Sequence, residues 1–327
     1  MFSPPPVVLA PLAGGPSTPE LAAAVSNAGG LGFVAAGYLA PDELAARLAR
    51  ARELTDGPLG VNVFVLAEQA VDRYAVEAYA RELEPEARRL GVQLGEPRFD
   101  DDGLGAKLAA AAGTVEVLST TFGCLPAAVV TGLQAAGTSV WATVTSVDEA
   151  RAARGAGVDA LVVQGAEAGG HSGAWADGGE PMPLRDLLTA IAAAVDLPLV
   201  AAGGIADASA AAATLEAGAA AVQAGSAFLL APEAGTSDPH RRAIRAGRET
   251  AFTRAFTGRR ARGIVNGFMR RHPDAPSAYP HIHHVTAPLR AAARAAGDAE
   301  AINLWAGVNH ARTEALAASE IVARLRP

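Results

Sequence analysis

Leu197-Pro198-Leu199-Val200-Ala201-Ala202-Gly203-Gly204-Ile205-Ala206-Asp207 runs into the alanine-rich stretch Ala208–Ala217, and Gly218 then leads to Ala220-Ala221-Val222-Gln223-Ala224-Gly225-Ser226. The unit is an apolar run, a glycine pair, a segment of helical length closed by glycine, and a second apolar run. Strands that are apolar on both faces and joined by helices belong to a parallel sheet covered on both sides. The same unit recurs along the whole chain. Strands are expected at Val7–Ala10, Leu31–Ala35, Leu59–Phe64, Val115–Thr120, Ser139–Val144, Ala160–Gln164, Leu197–Ala202 and Ala220–Gln223. Between them, helices are expected at Thr18–Ala28, Pro41–Thr55, Val71–Leu90, Pro126–Ala136, Ser146–Gly155, Pro183–Ala194 and Ala208–Ala217. Ser17-Thr18-Pro19-Glu20 and Ser146-Val147-Asp148-Glu149 read as helix starts, and Gly137, Gly155 and Gly218 as stops. Eight such strands point to a closed (β/α)8 TIM barrel of the α/β class rather than an open doubly wound sheet.

Two segments exceed a minimal barrel. The third connection, from about Glu68 to Gly113, is long and charged and is expected to carry extra helices. Residues 1–230 are therefore assigned to the barrel, and 231–327 to a C-terminal helical cap over its mouth with a closing helix. The latter span holds the arginine-rich stretch Arg241–Arg271 and a Pro/His loop at His272–His284.

Composition removes several classes of function. The chain has 327 residues, half of them apolar, so a large core forms readily. A net charge of −7 argues against nucleic acid or an anionic membrane as the main partner. Cys124 is the only cysteine, which precludes an intramolecular disulfide and fits a reducing cytoplasm. Met1-Phe2-Ser3-Pro4-Pro5-Pro6 lacks the basic and apolar regions of a secretion signal, and no apolar run is long enough for a membrane span. Lys107 is the only lysine. There is no P-loop Gly-Lys-Ser/Thr turn, and Lys107 reads as a solvated helix position, so Schiff-base chemistry is not expected.

The glycines cluster after strands, on the face where barrel enzymes work. Gly203-Gly204 and Gly225-Ser226 follow the last two strands, where backbone amides and helix N-termini commonly hold a phosphate. Gln164-Gly165-Ala166-Glu167-Ala168-Gly169-Gly170-His171-Ser172-Gly173 frames a histidine that can take a proton or bond an anion. Glu167 is expected to make a structural bond to its own loop. Pro11-Leu12-Ala13 follows the first strand, and Asn62 interrupts the apolar third one, where its carboxamide must be hydrogen-bonded to a ligand edge or a neighbouring loop. His281, His283 and His284 lack carboxylate or cysteine partners at ligand spacing, so no metal site is expected and they are read as loop packing or pocket wall. Arg259-Arg260-Ala261-Arg262 is read as making local ion pairs or neutralising a phosphate from the cap.

Taken in order, these segments resemble the nitronate monooxygenases, also called 2-nitropropane dioxygenases. The resemblance is carried by Pro11–Leu21, Ser26–Gly32, Gly60–Phe64, Glu167–His171, Ala201–Ile205, Thr257–Gly263 and Leu304–Gly307. It implies FMN, held by positions matching Asn62, Gln164, Gly169, Gly203, Gly204, Gln223, Gly225 and Ser226, with Pro11, Leu12, Ala13 and Gly170 beside them. It implies oxidation of an alkyl nitronate by O2 to a carbonyl compound and nitrite, with His171 as the active-site histidine. Thr121, Tyr279 and His283 are expected on the substrate side. The chain departs from the family pattern at Thr121, where His is frequent, at His283 and Ala287, where Tyr and Lys are frequent, and at Val308, where Gln is usual. Partners are thus a small nitronate and O2, and an assembly of identical copies stays open. Related FMN barrels that reduce quinones or enoyl thioesters use a similar segment around His171, and a flavin-binding module without turnover is the reading from another class.

Overall fold

Side chains alternate across each strand, and that alternation divides the interior of the protein into two apolar layers. In the computed structural model, which describes residues 3–326, the strands are β1 (Val7–Leu9), β2 (Gly32–Ala35), β3 (Leu59–Phe64), β4 (Val117–Thr121), β5 (Ser139–Val144), β6 (Ala160–Gln164), β7 (Gly170–His171), β8 (Leu199–Ala202), β9 (Ala221–Ala224), β10 (Thr250–Thr253) and β11 (Ala261–Ile264). Met1, Phe2 and Pro327 lie outside the described residues, the first two in the stretch read for a targeting signal. Eight strands pair in parallel in the order β1-β9-β8-β6-β5-β4-β3-β2. The ring is drawn closed by Leu9 N donating to the Leu31 carbonyl at 2.9 Å and Leu31 N to that of Val7 at 3.0 Å. This is the expected (β/α)8 barrel.

Val8, Leu31, Phe33, Val117, Trp141, Val162 and Val200 fill the inside of the ring. Their neighbours Val7, Leu9, Val34, Val61, Leu118, Val140, Leu161 and Val222 face outward and pack with the helices. Towards the C-terminal strand ends the inward positions become Asn62, Ser119, Thr121, Thr143, Gln164 and Gln223. The barrel is sealed by apolar side chains below and polar at its mouth.

Helices start where a side chain satisfies their first amides. Thr18 caps Pro19–Asn27, Ser146 caps Val147–Gly155, and Asp207 caps Ala208–Glu216, each accepting from the amide three residues on at 2.9–3.2 Å. The third connection holds two helices, Arg73–Leu90 and Leu104–Ala111. The second overturns the reading of Lys107 as solvated. Lys107 and Ala111 lie on the buried face of Leu104–Ala111, and Lys107 is only 1% exposed, with its ammonium 2.7 Å from Asp102.

The segment after β9 is helical, with an addition that the sequence did not announce. β10 and β11 form an antiparallel pair, and β11 also pairs with β7, so that Ala261 lies opposite His171. The expected loop at His272–His284 ends early, because helix His281–Ala295 begins within it. Phe256, Phe268, Ile282, Val285 and Leu289 form a cap core together with Val76, Tyr79 and Leu83, which come from the third connection. The closing helix, Ala318–Leu325, returns to the barrel and buries Ala318, Ile321, Val322 and Leu325 in the barrel's outer layer.

Removing one partner of a buried ion pair leaves an uncompensated charge. Lys107→Met is expected to lower unfolding free energy by about 3 kcal/mol, while Asp102→Asn/Lys107→Met recovers most of the loss. Chemical denaturation measures both, and equal stabilities for the two variants would contradict the pairing.

Candidate active site

A cavity of about 620 Å³ opens at the C-terminal ends of the barrel strands beneath the cap. That volume lies within the range of roughly 300–1,000 Å³ usual for small-molecule and cofactor sites. Its wall has a glycine-rich side, formed by the loops after β1, β8 and β9, and an imidazole side formed by the loop after β6 and the cap.

One carboxamide pins the part of the loop after β6 around His171. Gln164 Nε2 donates to the His171 carbonyl at 3.1 Å, and its Oε1 accepts from Gly173 N at 2.6 Å. Glu167 accepts from Leu184 N at 3.0 Å, the structural role expected of it. Gly169 allows a close approach that no other residue could: a Cβ there would stand 2.4 Å from the Ala306 carbonyl carbon and from Gly307 N. The segment 304–309 therefore lies on the barrel rim. Val308 N donates to the Glu167 carbonyl at 3.1 Å, Gly307 N to Ser226 Oγ at 2.8 Å, and Asn309 Nδ2 to the Gly204 carbonyl at 2.6 Å. Gly203, with φ +124°, and Gly204, with φ +71°, adopt backbone conformations that favour glycine.

His171 Nε2 is 2.9 Å from Thr257 Oγ1, and Phe122, Tyr279 and Trp305 stand around the ring with centroids at 5.4–5.8 Å. Burial drives its pKa down to about 3, with Arg259 and Arg290 adding to the shift and Asp177 opposing it. His283 stacks on Tyr38 at 4.2 Å, and burial followed by Arg290 takes its pKa down to about 2. His240, also in the cavity wall, is lowered by burial to about 4. All three imidazoles are neutral at pH 7.

The cavity brings together Pro11, Leu12, Ala13, Asn62, Gln164, Gly169, Gly170, His171, Gly203, Gly204, Gln223, Gly225 and Ser226, with Thr121 and His283. Tyr279 packs on His171 and His283, at 5.8 and 6.3 Å between centroids, but is placed differently from the rest. It does not line the cavity among the described residues but lies behind it, its hydroxyl 3.3 Å from that of Tyr38. Asn62 Nδ2 bonds Ser119 O, Ser119 Oγ and Thr121 Oγ1 at 2.9–3.2 Å, so the neighbouring strand β4 takes up the donor side of its amide. The arginine run departs from expectation. Arg259 donates to the Ser172 and Ala174 carbonyls and lies 4.1 Å over Phe122, and Arg262 donates to the Ala166 carbonyl at 2.9 Å and lies over Phe252. Backbone carbonyls and aromatic faces thus replace the expected ion pairs, and the run stays outside the cavity wall. The sequence reading missed Tyr38, Trp305, Arg290 and Arg294 as wall residues. Only the tertiary fold brings them to the barrel mouth.

A closed parallel barrel with its cavity at the C-terminal strand ends defines a barrel enzyme. The family model described as nitronate monooxygenase matches residues 2–327. A probable nitronate monooxygenase of Staphylococcus aureus (strain Newman) is 34% identical over 316 residues, covering 92% of this chain and 88% of the relative. The crystal structure of a nitroalkane oxidase from Streptomyces ansochromogenes is 47% identical, with a TM-score of 0.95 over 98% of this chain and 94% of that one. FabK from Thermotoga maritima is more distant, at 27% identity and a TM-score of 0.76, over 98% of this chain and 91% of that one. The chain belongs to the nitronate monooxygenase family of oxidoreductases. No helix among the described residues is long and apolar enough to cross a membrane.

The buried imidazoles fix the sign of the acid response. His171, His283 and His240 take up protons near pH 6.5 when unfolded but only near pH 2–4 when folded. Below pH 6.5 the unfolded state therefore binds more protons, and stability falls as pH falls, by about 1.4 kcal/mol per pH unit for each histidine. Urea midpoints are expected to drop from pH 7 to pH 5, and less steeply in His240→Asn. A flat profile over that interval would contradict the neutral burial.

Proposed function

We propose that this protein holds FMN in the cavity and oxidises alkyl nitronates with O2 to a carbonyl compound and nitrite, with His171 as the residue facing the substrate. The observation that carries the cofactor assignment is Gln223. Its Nε2 is buried against the cavity and has no hydrogen-bond partner among the described residues. A buried donor is rarely left unpaired, so a ligand acceptor is called for at that wall. Asn303 Oδ1 is a second such atom in the wall, an acceptor awaiting a donor. Beside Gln223, Gly203-Gly204 and Gly225-Ser226 present backbone that a phosphate can approach closely. The residues present fit a phosphate-bearing flavin.

In this reading the amides around Gly203, Gly204, Gly225 and Ser226 hold the phosphate, and Pro11, Leu12, Ala13, Asn62 and Gln223 hold the ring system. Bound FMN supplies the electron acceptor for the substrate carbanion, chemistry that no side chain of the chain provides. Gln164 fixes the backbone on both sides of Ser172 and so sets where His171 stands. The neutral imidazole can accept the α-proton of a nitroalkane or bond a nitronate oxygen. Thr257 orients the ring through Nε2. Trp305 and Phe122 screen it from water. The identity with the Streptomyces nitroalkane oxidase supports the substrate class.

His171→Ala is expected to retain the yellow flavin spectrum while nitrite release from ethyl nitronate falls by about 100-fold or more, the usual scale for loss of a general base. Undiminished nitrite release would remove His171 from the chemistry. NAD(P)H oxidation without any nitrite from nitronates would favour a reductase instead. Gly203→Asp places a side chain where a Cβ would meet Ala168 N at 3.0 Å and sets a negative charge beside the phosphate. The flavin-to-protein ratio after purification is expected to fall steeply, and an unchanged ratio would move the phosphate elsewhere.

A further inference from the structure

Arg290 is a buried cation without a counter-charge. It stands on helix His281–Ala295, is 9% exposed, and lines the cavity on the side of His283 and Tyr38. Its Nε donates to Thr286 Oγ1 at 3.1 Å, and its Nη2 to the His283 carbonyl at 3.1 Å and to His283 Nδ1 at 3.2 Å. These acceptors are neutral, and Nη1 has no hydrogen bond among the described residues. Arg259 is also buried without a carboxylate partner among the described residues, but the Ser172 and Ala174 carbonyls satisfy it. It lies outside the cavity wall, whereas Arg290 lines it. Lys107 has Asp102 at 2.7 Å, and Arg254 has Asp177 at 2.7 Å. No carboxylate pairs Arg290 among the described residues, and neither Asp nor Glu lines the cavity, whose charged wall residues are Arg290 and Arg294.

An unpaired charge held out of water is strongly unfavourable unless something supplies the missing partner. Burial lowers the Arg290 pKa only to about 10, so the group stays charged at neutral pH. His171 and His283 are neutral there, which leaves Arg290 as the cation lining the cavity on their side, with Arg259 behind the wall also acting on His171. Arg290 stands near enough to His171 to help depress the imidazole. Arg294, one turn further along the helix, acts on His240 instead. A guanidinium is a planar fork of donors that matches a planar, two-oxygen anion.

We propose that Arg290 is the specificity-determining residue of the substrate side: it binds the planar oxyanion of a nitronate and so selects the preformed anion over the neutral nitroalkane. This rests on the function proposed above. From then on the roles divide, Arg290 recognising charge and His171 serving the carbon to be oxidised.

Nitrate, a planar oxyanion with no carbon to oxidise, is the probe. With FMN-saturated protein, so that the phosphate end is filled, nitrate is expected to raise the melting temperature and to compete with ethyl nitronate. In Arg290→Gln, nitrate affinity is expected to fall about tenfold or more, the loss of one charge-assisted hydrogen bond. The KM for ethyl nitronate should rise by a similar factor, while that for neutral nitroethane stays within about twofold; Arg290→Lys, which keeps the charge without the fork, should fall between. Unchanged nitrate affinity in Arg290→Gln, or two KM values moving together, overturns the proposal. Should neither variant fold, the wild-type titration decides: no rise in melting temperature at millimolar nitrate overturns it. A wild-type protein that binds nitrate through Arg290 but releases no nitrite from nitronates would instead overturn the proposed function and leave this site standing.

Discussion

The close approach of Gly169 to the backbone of Ala306 and Gly307 is the contact on which the active-site architecture depends. It lets a segment from the far end of the chain lie on the rim of a barrel built from the first two thirds. Once there, the segment bonds Glu167, Ser226 and Gly204 through Val308, Gly307 and Asn309, which ties the loops after β6, β8 and β9 to one another. Trp305 is brought against His171 by the same passage, and its bridge to Gly263 joins the rim to β11. Any side chain at residue 169 would push this strap away and open the cavity to water.

Within that enclosure the polarity is arranged by layers. The lower barrel is filled with apolar side chains, and carboxamides and hydroxyls appear only at the inward positions near the mouth. Burial then keeps the imidazoles neutral, while Arg290 keeps its charge. The cavity is consequently a positive space without carboxylates among the described residues. Such a space suits anionic ligands, because charge interactions strengthen as water is excluded. A phosphate at one end and a small oxyanion at the other would both find complementary surroundings.

Much of the fold was legible in the sequence, because a parallel strand buried on both faces and a glycine-terminated helix leave local marks. The Leu197–Ser226 unit illustrates this, with both strands, the helix between them and the glycines after both strands falling where they were read. β10 and β11 left no such mark. Their residues, Thr-Ala-Phe-Thr and Ala-Arg-Gly-Ile, lack a clear two-residue period, and the pairing of β11 with β7 spans some ninety residues of chain. Lys107 was misread because a lysine amid alanines looks solvated until Asp102 is placed beside it. Arg290 was missed for the opposite reason. It falls in the stretch assigned to a helical cap, but the His/Pro-rich run before it read as a loop. The helix start at His281, and with it the face that carries Arg290 to the cavity, therefore had no mark in the sequence. His171 was found through its glycine frame, whereas the Thr257 hydroxyl that orients it lies far along the chain.

The absorption spectrum of the purified protein, followed through anaerobic addition of ethyl nitronate, tests the central claim most directly. The account predicts the two-banded visible spectrum of oxidised FMN, bleaching when nitronate is added without oxygen, and return of the colour on admission of air. A protein that stays colourless after incubation with excess FMN, or a bound flavin that nitronate does not bleach, would contradict it.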